Sequence, residues 1–189
     1  LEQSQLDWLV AQLAEAEAAD ELVMVMSHHR AKDLGGESPI EPDQLEAALS
    51  ASPNLIVHVT GHGHSNVDRL VAGEAGYYEL MLASTIDFPM QSRVIEIVDE
   101  GNGSLSIYCT NLGHNSTEDS LAHYGRQLSA AKAAFPVLGQ GGDVEGAWAS
   151  DVQNQNLVLR VPIPNSVQTA LAAVELPEAV MSEEILLGL

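Results

Sequence analysis

The sequence predicts a mixed α/β fold from three observations. Two short runs, residues 22–26, wholly apolar, and 55–59, apolar but for His58, have the length and composition of buried strands, and each stops abruptly at a polar, histidine-bearing loop. Helix-period segments precede and separate these runs. Beyond Asp68 the pattern shortens to that of successive strands joined by turns.

Leu6, Leu9, Val10 and Leu13 recur at helical spacing, which predicts a helix over residues 5–18 with Ser4 as its cap. The strand at 22–26 then runs into Ser27-His28-His29-Arg30. Residues 33–42 hold two Gly and two Pro and read as loop, after which Asp43 is placed to cap a helix through Leu45, Ala48 and Leu49. The second strand opens into Thr60-Gly61-His62-Gly63-His64. Further strands are predicted at 69–72, 77–83, 93–98 and 104–109, the last two joined by Glu100-Gly101-Asn102-Gly103 with Asn-Gly as a tight turn. Residues 119–133 read as helix, 136–151 as a Gly-rich loop and 157–163 as a strand, with short helices at 166–175 and 178–187. All the predicted strands up to residue 109 are expected to lie mainly in one sheet.

With 189 residues, 46% of them hydrophobic, the chain can bury a sizeable core, which excludes a disordered protein. No apolar run approaches the roughly 18 residues of a membrane-spanning helix, and the chain reads as soluble. Its 27 acidic against 7 basic residues give a formal charge of −20, which would repel a polyphosphate backbone, so nucleic acid is excluded as a partner. A phosphoester substrate is also an anion, and the attracting charge would have to come from metal ions. The single Cys109 cannot form an internal disulfide and leaves the compartment open. The opening Leu1-Glu2-Gln3 carries neither an initiator Met nor a leader, and the chain reads as part of a longer protein.

The chemistry concentrates in His28, His62 and His64. His62 and His64 lie two residues apart beside glycines, where imidazole nitrogens can face neighbouring metals without steric bulk, and His28 ends the other apolar strand, 34 positions upstream of His62. Val25-Met26-Ser27-His28 followed by Gly61-His62-Gly63-His64 resembles, in type and order, the late Val-x-x-His and Gly-His-x-His motifs of the calcineurin-like metallophosphoesterases. The helix around Gln5-Leu6-Asp7-Trp8-Leu9, and the segment from Tyr77 through Ser84, Asp87 and Pro89 to Glu96, are similar to what flanks those motifs in bacterial members. The resemblance covers roughly residues 3–111.

That resemblance implies part of a four-layer αββα sandwich, with residues 1–115 as the C-terminal portion of a catalytic domain and 116–189 as an extension packing on it. It implies a phosphatase or phosphodiesterase with two metal ions, Zn, Mn or Fe, where His28 and His62 bind one ion and His64 the other. Metal-activated water would attack phosphorus in line. His29 is expected to orient a ligand or to be an ordinary loop residue, His58 to be a core residue, and His114 and His123 to lie on the surface. The family's early Asp-x-His, Gly-Asp and Gly-Asn-His motifs have no counterpart, and Asp33, Asp68 and Asp87 fall in the wrong order to replace them. The isolated chain is therefore expected to be inactive, with activity belonging to the parent protein; the alternative is a non-catalytic binding or assembly domain. Association is expected, as a homo-oligomer or with the missing N-terminal half, and export to the periplasm or medium is compatible with the acidic surface.

Overall fold

The computed structural model describes residues 1–35, 38–88, 90–113, 115–134 and 156–174. Helix α1 (Gln3–Ala18) leads into strand β1 (Val23–Met26), a short 3-10 turn (Ala31–Asp33) and helix α2 (Pro42–Ser50). Strands β2 (Leu55–Thr60), β3 (Val67–Val71), β4 (Tyr77–Met81), β5 (Gln91–Asp99) and β6 (Ser104–Gly113) follow, then α3 (Leu121–Ala134), β7 (Leu157–Pro162) and α4 (Asn165–Ala172). The result is a mixed α/β sandwich of two sheets flanked by helices, the predicted class.

The strands do not share one sheet as expected. Four form a sheet in the order β1-β2-β4-β3, and three form a second in the order β5-β6-β7. The physical reason lies in β3, which folds back antiparallel on β4 and fills the edge that β5 would need. The alternating pattern of β5 then finds its apolar face elsewhere, where Ile95 joins Leu105, Ile107, Cys109 and Val161 against Ile56, Val57, Val59 and Leu80 of the first sheet. A second apolar cluster, on the other face of the first sheet, packs Leu6 and Leu13 of α1 and Leu45 and Leu49 of α2 against Leu55, Val71 and Tyr77.

β1 and β2 are parallel, joined through α2, so both deliver their C-terminal ends to the same edge. Side-chain caps differ from expectation. Glu2 with Gln5, and Glu41 with Gln44, form capping boxes, so Ser4 and Asp43 lie inside the first turns. The β5–β6 hairpin forms, but Gly101 and Gly103 carry its positive φ angles, while Asn102 accepts hydrogen bonds from Ser104. The predicted Gly-rich loop, the helix at 178–187, His114 and Pro89 lie outside the described residues. Among the described residues no helix is long and apolar enough to cross a membrane.

Candidate metal centre

The first two strands end within reach of each other because backbone bonds tie them there. Ser27 N–H donates to the Val59 carbonyl at 3.1 Å, and Gly61 N–H donates to the His28 carbonyl at 3.0 Å. Past these bonds the chain bends at residues 28–29 and again after Thr60. The Gly63 N–H closes back on the Gly61 carbonyl at 2.7 Å with His62 at φ 64°, which is a γ-turn of the rarer, strained kind. His64 also has positive φ, 52°. Two non-glycine residues in this backbone region within three positions store strain that ordinary turns avoid.

This geometry brings His28, His29 and His62 together. One ring nitrogen from each lies within 4.8 Å of the others, and all three side chains are exposed. The His29 and His62 rings are tilted with centroids 3.9 Å apart, and His28 stands edge-on to both, 5.0 Å from His29 and 5.3 Å from His62. Nitrogens about 2.0–2.1 Å from a tetrahedral zinc would sit about 3.4 Å from one another. Exposed imidazoles reach that by small side-chain rotations, so the donor set fits one divalent ion of the zinc type.

The structure therefore joins His28 and His62, both predicted site residues, with His29. His29 was hard to place from sequence because neighbours on a strand point to opposite faces, and the bend after Ser27 cancels that rule. His64 falls outside the cluster. Its Nδ1 lies 2.5 Å from Asp87 Oδ2, and since the carboxylate only accepts, Nδ1 carries the proton and Nε2 keeps its lone pair. Asp87, set aside on sequence order, thus lies in direct contact with a predicted ligand. Asp33 and Asp68 are engaged elsewhere, Asp33 with Arg30 at 2.6 Å and Asp68 with the buried Arg93 at 2.7 Å. The hydrogen bond from Arg30 holds the Asp33 carboxyl below its ordinary value.

Of the two loop glycines, only Gly63 would set a Cβ against a neighbour. That Cβ would overlap the Sδ and Cε at the end of the Met81 side chain, whereas a Cβ on Gly61 meets nothing nearer than His28 Nδ1 at 3.6 Å. Met81 is buried, so it has little room to withdraw. Gly63→Ala is expected to lower stability by about 1–2 kcal/mol and to weaken metal binding. Gly61→Ala is expected to leave the unfolding midpoint nearly unchanged, and thermal denaturation of both variants checks the contrast.

His58 is buried in β2, as expected, with its Nε2 2.7 Å from Ser27 Oγ. Its Nδ1 faces Glu79 Oε2 at 3.6 Å, beyond hydrogen-bond range. Arg69 Nε donates to Glu79 Oε1 at 3.2 Å, and Arg69 also bridges to Glu46 of α2 at 2.5 Å. Burial alone would raise the Glu79 carboxyl, but the neighbouring His58 and the Arg69 charge outweigh it and hold the group below its ordinary 4.5.

The elements and side chains described so far define a cluster of three histidines able to hold one metal ion on adjoining parallel strand ends. No protein-family model matches the sequence, and no curated protein matches it. Among solved structures the chain is similar to a dimetal phosphatase from Danio rerio, with 16% identity and a TM-score of 0.43, covering 56% of this chain and 34% of that one. The chain thus spans about a third of the length of that protein.

Proposed function

We propose that this chain supplies metal ligands for phosphoester hydrolysis by the protein to which it belongs. The observation that carries the reading is the convergence of His28, His29 and His62 at the ends of two parallel strands. The motif order Val25-Met26-Ser27-His28 and Gly61-His62-Gly63-His64 supports the phosphoesterase assignment. His28, His29 and His62 hold the first ion, and His64, oriented by Asp87, offers Nε2 to a second. A bound divalent ion supplies Lewis acidity toward a phosphoryl oxygen and offsets charge on the substrate. The chain's own residues fix where that ion sits: the γ-turn aims His62, and the Gly61 to His28 bond holds the two strand ends in register.

The three-histidine cluster contains no carboxylate, and two cations side by side need anionic ligands to offset their repulsion. This observation favours a second reading for the isolated chain, a metal-binding domain without turnover. Metal analysis and hydrolysis of an aryl phosphate and a bis-aryl phosphate separate the two. The 189-residue chain is expected to bind metal and cleave neither ester, and the longest polypeptide containing it to bind two ions and cleave at least one. Metal binding without turnover in that longer polypeptide would leave the domain as a binding module.

A further inference from the structure

The buried His58 sits among apolar side chains, yet its Nε2 is aimed at a hydroxyl beside the metal centre. Ser27 Oγ lies 2.7 Å from His58 Nε2 and also 2.7 Å from the His29 carbonyl. A hydroxyl has one proton and a carbonyl can only accept, so that proton goes to His29. His58 must then donate from Nε2 to Ser27. The bonds run in one direction, from imidazole to hydroxyl to the backbone of His29.

We infer that Ser27 and His58 are positioning residues that fix the segment bearing His28 and His29 for metal capture. The inference deepens the metal-binding reading proposed above and rests on it. Three ties hold this segment to β2: the Ser27 amide to Val59, the His28 carbonyl to Gly61, and the His29 carbonyl through Ser27 to His58. The first two are backbone bonds that any sequence could make. The third depends on side chains, and among the described residues it is the tie that reaches the His29 carbonyl and so restrains the backbone from which the His29 imidazole leaves the chain. Behind His58, Nδ1 lies 3.6 Å from Glu79 Oε2 with no hydrogen bond between them, and Glu79 is held by Arg69, which reaches α2 through Glu46. The His58 end of the tie to Ser27 is buried, where a hydrogen bond costs more to break than at the surface. Groups that orient metal-ligating histidines typically change metal affinity 10- to 100-fold when removed.

The test uses the full 189-residue chain with Co²⁺ as the probe, whose visible absorption reports the number and arrangement of nitrogen ligands. Ser27→Ala is expected to weaken Co²⁺ binding by about 10-fold or more and to alter the absorption bands. Its thermal midpoint should fall by no more than a few degrees, about what one hydrogen bond lost to the buried His58 costs, because the Ser27 side chain itself is exposed. Ser27→Thr retains the hydroxyl and should restore both affinity and spectrum. In the metal-free protein, nitrogen NMR should show the proton on His58 Nε2, and Ser27→Ala should shift that resonance. Unchanged affinity and spectrum in Ser27→Ala, with the parent binding Co²⁺ normally, would overturn the positioning role while leaving the metal centre standing. Absence of Co²⁺ binding by the parent would overturn the metal-binding reading and this inference with it, whatever the NMR shows.

Discussion

Replacing His62 by glycine is expected to produce a protein that is more stable than the parent and unable to hold metal at the cluster. The two effects have separate causes. His62 sits at φ 64° in a γ-turn, a backbone state that disfavours side chains and costs of order 1–3 kcal/mol. Glycine adopts it freely, so the substitution should recover about 1 kcal/mol, the entropy of glycine in the unfolded chain cancelling part of the relief. At the same time one of three imidazoles is lost, and the remaining pair on an exposed surface should bind a divalent ion at least about 100-fold more weakly. His62→Ala separates the causes, since it removes the imidazole and keeps most of the strain. Equilibrium unfolding and metal titration of both variants check the prediction. A glycine variant less stable than the parent would show that the turn is not strained.

The second large effect is expected at Arg69. Glu79 is 1% exposed and relies on Arg69 for a hydrogen bond and for opposing charge, with His58 at 3.6 Å on its other oxygen. Arg69→Met leaves that carboxylate buried with its strongest partner gone. Breaking a buried pair in this way typically costs 3–5 kcal/mol, and the lower end, about 3, applies here because the guanidinium is partly exposed and water can replace some of what it gives. Adding Glu79→Gln to Arg69→Met removes the stranded charge and should restore much of the loss. The pH dependence follows from the same contacts. The folded protein holds the Glu79 carboxyl below its ordinary 4.5, so its contribution is complete above that value and is lost as pH falls through the depressed folded value. Stability of the parent minus that of Glu79→Gln should therefore shrink as the solution is acidified below about 4.5. Urea unfolding across pH 3 to 7, a range chosen to bracket the ~4 to 4.5 of free carboxyls, measures it.

Particular residues show what the sequence could and could not disclose. His28 and His62 were legible because each follows a short, mainly apolar strand, and buried parallel strands present their C-terminal ends on a common edge. The helices were legible from apolar spacing, whereas their caps were not, since Glu2 and Glu41 act through reciprocal bonds with Gln5 and Gln44 that composition does not favour over Ser4 or Asp43. The division into two sheets was hidden because β3, β4, β5 and β6 all carry strand-like patterns, and only three-dimensional packing decides which edge is already taken. Asp87 reaches His64 across 23 positions through an irregular segment, a contact that no periodicity encodes. The chain from Glu46 to Ser27 was equally hidden, since His58, Arg69 and Glu79 lie on three different strands and meet only when β2, β3 and β4 pair.

Metal binding as proposed for this chain requires that His28, His29 and His62 hold a single ion together. X-ray absorption at the zinc edge, on the chain loaded with one equivalent, tests it most directly. Three imidazole nitrogens at about 2.0 Å are expected, falling by one in each of His28→Ala, His29→Ala and His62→Ala. A spectrum with one imidazole or none, or one unchanged by these substitutions, would contradict it.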